Sequence, residues 1–324
     1  MTIRSVDLDT EQLTLTAVAD FPVPVHRLWD AYVDPRQLEK FWGPPTWPAT
    51  LTQHDFRSGG QSAYHLTGPN GEQVFGYWQF SSVDPPYEFD MVAGVAHADG
   101  APNTQLPATR AMYVFEETTL GSLLTVTSYF TTVDEMQQLL SMGMHEDTRA
   151  AMDQIEAVIT DDSTYAAGHI TQLHYLTDTI IRVSRVIRAP IELVWTAFHT
   201  PELVRQWMLG PAGWIMTACK LAQRVGGSYR YVWATEDSTD EFGFTGQLLA
   251  LDEPYHFVTT ETMLGVEGPT TTNEVNLATV SEGTLVTTLI QYPTAELRDL
   301  VIDTGMISGM ENSYSRLESQ IVAS

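Results

Sequence analysis

The chain has 324 residues, of which 43% are hydrophobic and 18% are charged. This length is enough for two domains with a core each, and the composition is typical of a globular protein rather than a disordered one. The chain has 16 Lys and Arg residues against 41 Asp and Glu residues, so its formal net charge is -25 at pH 7. Such a surface repels phosphate groups, which argues against nucleic acid and against a membrane as partners.

The lone cysteine, Cys219, excludes intrachain disulfides and cysteine-rich zinc sites. The first ten residues lack the apolar segment of a secretory signal. No apolar run approaches the ~18 residues that a membrane-spanning helix needs. We therefore predict a cytoplasmic protein.

The first half of the chain recurs in the second half. The matched features are a Pro-x4-Trp motif (24–29 and 190–195), a Gly-Pro step followed by Trp (43–47 and 210–214) and a Gly-Gly pair (59–60 and 226–227). Further along the chain they are a Phe-Gly-aromatic triplet (75–77 and 242–244), a Pro-Tyr-x-Phe motif (86–89 and 254–257) and a Gly-Met pair (143–144 and 305–306). The difference in residue number rises from 166 to 168 and then falls to 162. The first copy therefore has a longer segment, at 92–107.

Both copies predict the same elements in the same order. Period-2 alternation predicts a first strand at 13–19 and 180–187, and a proline then opens a short helix at 25–33 and 191–198. Asp-Pro or Thr-Pro opens a second short helix. Strands separated by Gly and Pro turns follow, and in the first copy they are predicted at 62–66, 73–81, 109–117 and 123–130. The longest helical pattern comes last, at 133–159 and 294–322.

This order predicts an α+β fold with two tandem domains, 1–162 and 163–324. Each is expected to be a curved antiparallel sheet of about six or seven strands wrapped on a long C-terminal helix, with two short helices after the first strand. The space between sheet and helix is the expected ligand cavity. Gly143 and Gly305 lie within the long helical pattern. A glycine there costs ~1 kcal/mol, so we expect it to allow close packing or to leave room for a ligand.

Two segments of the second copy are similar to a known family. Residues 189–195 read APIELVW and residues 309–318 read GMENSYSRLE, and the first copy follows a related pattern except at 21–26 and 92–107. The tandem pair resembles the START-like SRPBCC superfamily, in particular its branch related to activators of a heat-shock-chaperone ATPase (Aha-like). The resemblance implies a helix-grip fold with a cavity. Members bind lipids, hormones or polyketides, some are cyclases or dehydratases, and some assist a chaperone.

The sequence assigns no catalytic residue, because the resemblance implies no shared catalytic set. It contains no Gly-x-Ser-x-Gly, phosphate-loop, dinucleotide-binding or His-Glu-x-x-His motif, so we predict neither a cofactor nor a metal. The available acid–base groups are His65, Glu88, Asp90 and His145. Cys219 is expected to be a buried structural thiol.

Aromatic and methionine side chains are the candidates for lining a cavity, because an apolar pocket needs such groups. Each of them can alternatively be an ordinary core residue. The candidates are Trp42, Trp47, Tyr64, Trp78, Tyr113 and Met144 in the first copy, and Trp207, Trp214, Tyr229, Tyr231, Trp233, Met306 and Met310 in the second.

The sequence leaves three functions open. The inventory favours a binding protein for a small hydrophobic molecule over an enzyme. The alternatives are an enzyme of the polyketide cyclase or dehydratase type and a chaperone-associated or other protein-interaction module. We expect the first copy to hold the ligand, because its longer loop could cover the cavity. A monomer with pseudo-two-fold pairing of the halves is expected, with a homodimer as the alternative.

Overall fold

The computed structural model describes residues 2–161, 163, 167–210, 213–235, 237, 239–266, 268 and 270–323, without the side chains of residues 2, 145, 147, 322 and 323. The chain divides into two compact units, Met1–Ala166 and Ala167–Ser324. Each unit is an antiparallel sheet packed against helices. None of the helices in this described part is both long and apolar enough to cross a membrane.

The first domain has an 8-stranded sheet with the order β1-β2-β8-β7-β6-β5-β4-β3. Its strands are β1 (Thr2–Asp9), β2 (Thr14–Phe21), β3 (Ala49–His54), β4 (Gln61–Thr67), β5 (Gln73–Asp84), β6 (Glu88–Ala96), β7 (Thr109–Thr118) and β8 (Gly121–Tyr129). Its helices are α1 (Val25–Val33), α2 (Pro35–Leu38), α3 (Val133–Ser141) and α4 (Met144–Ile159). The longer segment of the first copy includes the loop between β6 and β7.

The second domain has an 8-stranded sheet with the order β11-β12-β13-β14-β15-β16-β10-β9. Its strands are β9 (Gln172–Tyr175), β10 (Ile180–Ile187), β11 (Trp214–Lys220), β12 (Ser228–Thr235), β13 (Glu241–Asp252), β14 (His256–Met263), β15 (Thr271–Val280) and β16 (Gly283–Gln291). Its helices are α5 (Ile191–His199), α6 (Pro201–Trp207), α7 (Ala295–Asp303) and α8 (Met306–Ala323), and a 3-10 turn precedes β9 at Ala167–His169.

The predicted tandem α+β fold is confirmed, with a different strand count. Each sheet has eight strands instead of six or seven, and the two short helices follow the second strand instead of the first. The additional strands are β1 and β9, which lie at the sheet edges. In β1, Arg4, Asp7 and Asp9 are charged, which leaves only three apolar residues in the strand. Charged side chains are typical of edge strands, and here they hide the strand from a hydrophobicity pattern.

The long helical pattern forms two helices in each domain. Gly143 separates α3 from α4 with a φ of 97°, and Gly305 separates α7 from α8 with a φ of 86°. This left-handed conformation strains any residue that carries a Cβ, so glycine ends the preceding helix. A Cβ on Gly305 would meet no heavy atom within 4 Å. The expectation that a neighbouring strand packs closely there is therefore wrong at Gly305.

Threonine side chains begin the helices that precede these breaks. Thr132 Oγ1 accepts a hydrogen bond of 3.1 Å from the backbone N–H of Glu135, and Glu135 Oε2 accepts one of 2.9 Å from the N–H of Thr131. This reciprocal capping box satisfies two backbone donors at the start of α3. Thr294 Oγ1 likewise accepts from the N–H of Leu297 at 3.2 Å, which starts α7 at the corresponding place.

Strand alternation divides each sheet into two faces, and we call the helix-facing side the inner face. In the first domain, Phe89 of β6 and Phe115 of β7 contact Trp29 of α1, with ring centroids 6.0 and 5.2 Å apart. In the second, Phe257 of β14 contacts Trp195 of α5 at 5.9 Å. These contacts identify the inner positions along each strand.

Candidate functional site

Three predicted residues of the first domain form one aromatic group on the inner face. The rings of Trp42 and Trp78 lie 4.4 Å apart, and those of Tyr64 and Trp78 lie 5.5 Å apart. Trp78 is only 2% exposed. Burial raises the pKa of the Tyr64 phenol. These side chains therefore pack against one another and largely fill the space that they surround.

The other candidates of the first domain lie in different surroundings. Tyr113 stacks on Phe89 with centroids 4.4 Å apart, and burial raises its pKa. Trp47 is half-buried beside Gly68, outside the aromatic group. Met144 packs against a core cluster that includes Phe130. The structure therefore does not bring all six candidates together.

The predicted acid–base groups with described side chains lie on the outer face of the first sheet. His65, Glu88 and Asp90 alternate with inner-face residues of β4 and β6. Burial lowers the pKa of His65. Asp90 forms an ion pair with Arg110 at 2.6 Å. The side chain of His145 lies outside the described residues. These positions do not support acid–base catalysis on the inner face.

Aromatic candidates of the second domain also assemble on the inner face. Trp214, Tyr231 and Trp233 pack with Phe242 and Phe244 in one cluster. Trp233 stacks on Phe242 with centroids 5.1 Å apart, and the Tyr231 ring lies 6.1 Å from Trp233. This cluster forms an apolar wall on β11, β12 and β13.

The remaining candidates belong to the second domain's core. Trp207 donates a hydrogen bond of 3.0 Å from Nε1 to the Ala197 carbonyl and is 2% exposed. Met306 lies on α8 with its sulfur 3.5 Å from the Tyr292 hydroxyl. Met310 packs against the clusters on both sides of it. The two methionines are half-buried on α8 and face the sheet. Trp207 is fully buried, and its hydrogen bond to Ala197 indicates a structural role.

Cys219 follows a bulge in β11 and lies opposite Tyr231 in the ladder. Its thiol is half-buried and free. Burial raises the pKa of this thiol, and nearby Arg205 partly offsets the effect. The raised pKa keeps the thiol protonated and poorly nucleophilic, in agreement with a structural residue.

A row of four residues crosses the inner face of the second sheet. The ladder places Tyr229 opposite Gly246 and Glu261 opposite Thr271. The register between β13 and β14 then places Gly246 opposite Glu261. We call these four residues the Glu261 row. The row lies on the inner face, because Glu261 is four residues after Phe257 on β14.

The first domain has a different row at the same place in its ladder. Ser62 lies opposite Trp78, Trp78 opposite Ala93, and Ala93 opposite Thr109. Trp78 thus stands where the second domain has Gly246. Aligning the Phe-Gly-aromatic triplets by sequence therefore differs by one residue from aligning the two strands by their position in the sheet. Tyr64 faces Gly76, whereas Tyr231 faces Phe244.

Glu261 is a carboxylate enclosed by polar and aromatic side chains. The Tyr229 hydroxyl donates to the Thr260 carbonyl at 2.9 Å and lies 3.4 Å from Glu261 Oε2. The Asn273 side chain also hydrogen-bonds to Glu261. Burial raises the pKa of Glu261, and these hydrogen bonds offset only part of the shift. No Lys, Arg or His among the described residues forms an ion pair with it.

The two inner faces differ in how completely they are closed. The matched residues around the rows are Phe89, Met91 and Ala111 in the first domain and Phe257, Thr259 and Asn273 in the second. The first three are 2%, 2% and 6% exposed. The second three all keep intermediate exposure. The second inner face therefore keeps accessible surface around polar groups, although it lies between the sheet and the helices.

The sequence prediction missed Glu261, Thr259 and Asn273. The signal that could have found Glu261 is alternation, because Phe257, Thr259 and Glu261 share one face of β14. A carboxylate at an inward position is unusual, which makes Glu261 a candidate for a functional role. The described residues hold no group of three or more His, Cys, Asp or Glu side chains placed to bind a metal ion.

Comparisons with known proteins give the chain's family. The profile of the family described as "Activator of Hsp90 ATPase homolog 1-like protein" matches residues 22–160 and 188–321. The crystal structure of protein Ms6760 from Mycobacterium smegmatis is 43% identical over 49% of this chain and 98% of that chain, with a TM-score of 0.46. An NMR structure from Arthrobacter aurescens is 42% identical over 49% of this chain and 93% of that one, with a TM-score of 0.48.

No curated protein matches the chain at a significant level. The family profile, in contrast, matches a region in each of the two domains and covers more than half of the chain. The chain therefore belongs to the Activator of Hsp90 ATPase homolog 1-like family, as a tandem pair of START-like domains.

Proposed function

We propose that the second domain binds a small hydrophobic molecule between the inner face of its sheet and helix α8. The observation that carries this proposal is the accessible surface that Phe257, Thr259 and Asn273 retain on the helix-facing side of the sheet. Trp233 and Phe244 supply an apolar wall, and Met310 of α8 packs against the neighbouring core cluster that Phe257 also contacts. An apolar enclosure with a few polar groups is the usual form of a ligand site.

The first domain is the weaker candidate, although its longer loop favoured it at the level of sequence. Trp78 occupies the centre of its row, and Phe89, Met91 and Ala111 are buried around it. Protein interiors packed in this way leave no room for a ligand without rearrangement. We therefore assign the first domain a structural role.

A filled variant of the second domain tests this proposal. Thr259→Met combined with Asn273→Ala introduces the residues that occupy the matched buried positions of the first domain, Met91 and Ala111. We expect the full-length protein to bind neutral apolar probes such as 4-phenylbutanol in calorimetry. The filled variant should lose that binding. Leu251→Met, at an exposed position of β13, is the control and should bind as the wild type does. Unchanged binding by the filled variant would contradict the proposal.

A second candidate function is catalysis at the same place. Glu261, Tyr229 and Asn273 bring a carboxylate, a phenol and an amide together, which is the convergence that an enzyme of the cyclase or dehydratase type requires. A carboxyl with a raised pKa suits proton transfer near neutral pH. Turnover of an aromatic polyketide that Glu261→Gln abolishes would favour this function over binding alone.

The family's name suggests a third candidate, stimulation of a chaperone ATPase. An acidic protein with net charge -25 could engage a basic surface of such a partner. A steady-state ATPase assay with the chaperone of the same cell tests this candidate, and an unchanged rate would remove it. Cytoplasmic location and a monomer with pseudo-two-fold pairing stay predictions, and light scattering can check whether the protein is a monomer or a homodimer.

A further inference from the structure

Among the residues that the structure describes, Glu261 has hydrogen-bonding neighbours but no cationic side chain beside it. Its carboxylate receives one long contact from Tyr229, at 3.4 Å, and one hydrogen bond from the Asn273 side chain. The Tyr229 hydroxyl has a single proton, which the shorter bond of 2.9 Å to Thr260 uses. Within the described part of the chain, no basic side chain pairs with Glu261. A buried carboxylate in this condition is unfavourable unless a partner supplies donors.

Asn273 adds a second acceptor beside the first. It lies on β15 opposite Thr259, one strand away from Glu261. Its Oδ1 is buried and has no hydrogen-bond partner among the described residues. Unpaired buried acceptors are rare in proteins. Among the described residues, a carboxylate without a cationic partner thus lies beside an amide oxygen without a donor, and this pair indicates a ligand group that carries several N–H bonds.

Two further tyrosines, Tyr231 and Tyr292, lie near this pair of acceptors. Burial raises the pKa of Tyr292 to about 12, and the charge of Glu261 adds to that effect. Glu261 also adds to the rise in the pKa of Tyr231, after burial and Cys219. Both phenols therefore lie within electrostatic reach of the carboxylate. Aromatic rings next to a carboxylate form the environment that organic cations prefer, since ring faces attract positive charge.

The charge of the whole chain acts in the same direction. A net charge of -25 attracts cations and repels anions over distances comparable with the Debye length. We infer that the second domain takes a hydrophobic amine, whose ammonium group binds Glu261 and Asn273 and whose apolar body lies against Trp233 and Phe244. This inference rests on the proposed binding function and names the class of its ligand.

Three probes with one carbon skeleton test the charge of the ligand. They are 4-phenylbutylamine, 4-phenylbutanol and 4-phenylbutyrate, each titrated into the full-length protein by calorimetry. We expect the amine to bind about tenfold or more tightly than the alcohol, the factor that a hydrogen bond between charged groups contributes. The butyrate should bind more weakly than the alcohol. Raising the salt concentration should weaken the binding of the amine but not that of the other two probes.

Two variants assign the preference to Glu261. Glu261→Gln should remove the difference between amine and alcohol while binding of the alcohol persists, which also shows that the variant is folded. Glu274→Gln removes a carboxylate from the outer face of β15 and should leave the preference unchanged. Equal binding of amine and alcohol by the wild type would overturn the inference and leave the proposed function intact. Failure of all three probes to bind would overturn both.

Discussion

Tyr229 on β12 contacts Glu261 on β14, although strand β13 runs between them. Strands lie about 4.8 Å apart, so the side chain has to cross roughly 10 Å of sheet. It can do so because the residue between them is Gly246. A Cβ on Gly246 would lie 2.7 Å from Tyr229 Cε1 and would also collide with the Thr260 carbonyl. In the first domain, Trp78 stands at this place and the matched Ser62 has no long side chain.

Replacement of Glu261 by Gln should stabilise the protein at neutral pH. Because burial raises the pKa of Glu261 in the folded state, its proton stabilises the fold at low pH, and that contribution disappears as the pH rises through the folded pKa. The neutral amide removes this dependence. The free energy of unfolding should therefore exceed that of the wild type at pH 7, with a smaller difference at pH 4.5. Unfolding by guanidinium chloride at pH 7 and at pH 4.5 measures the two free energies. A variant that is less stable than the wild type at pH 7 would contradict this prediction.

Replacement of Gly246 by Ala should destabilise the protein. The added Cβ meets the Tyr229 ring and the backbone of Thr260, and overpacking of this kind costs about 1–3 kcal/mol. Gly309 in α8 is the matched control, since a Cβ there has no heavy atom within 4 Å. Gly309→Ala should raise the free energy of unfolding by about 0.5–1 kcal/mol. In urea unfolding, the midpoint should therefore fall below that of the wild type for Gly246→Ala and rise above it for Gly309→Ala.

Removal of Glu318 should weaken the attachment of α8 to the sheet. Arg185 Nη1 donates to Glu318 Oε2 at 2.8 Å, and the two side chains are 5% and 12% exposed. Complete loss of a buried ion pair costs ~3–5 kcal/mol, but Arg185 keeps Glu311 at 3.2 Å. We expect Glu318→Ala to cost about 2 kcal/mol.

The control for this change is Arg188, which contacts Glu318 at 3.1 Å from an exposed position. Arg188→Ala should cost no more than ~1 kcal/mol, because exposed ion pairs contribute little. Denaturant midpoints of the two variants give the comparison. An equal loss of stability in Glu318→Ala and Arg188→Ala would show that the buried ion pair with Arg185 contributes no more than the exposed one with Arg188.

Stability should also fall in acid through Glu311. Burial opposes its ionisation, but hydrogen bonds from Thr171, Ser315 and Arg185 hold the pKa of Glu311 below its usual value of 4.5. Its contribution is therefore present above pH 4.5 and is lost as the pH falls through the lower folded pKa. Glu311→Gln should flatten the acid limb of a plot of unfolding free energy against pH. An unchanged acid limb would rule out this assignment.

Much of the fold could be predicted because it follows local rules. The repeated Pro-x4-Trp motif and the turn glycines predicted two tandem α+β domains, and alternation placed Leu15 and Ala17 on the buried face of β2. The edge strands were missed, since pairing through the backbone at a sheet edge leaves few apolar side chains to count. The helix break at Gly305 was missed because an amphipathic stripe can continue through a left-handed residue.

The candidate site could be predicted only in part. Trp233 and Tyr231 were named as cavity residues, and they lie next to the Glu261 row. Glu261 itself was missed, because a carboxylate is expected at the surface. Only its position in the alternation of β14 shows that it points to the inner face. The two copies also looked equivalent at the Phe-Gly-aromatic triplets, where the ladders differ by one residue.

The sequence by itself determined that one fold is written twice, that the chain is strongly acidic, and that aromatic side chains occupy corresponding strands of both copies. These properties depend on residue type and on spacing along a single element. Only the tertiary structure decided that Trp78 closes the first inner face while Gly246 opens the second. The physical reason is that cross-strand register sets which side chains share a row, and a shift of one residue exchanges a large side chain for none.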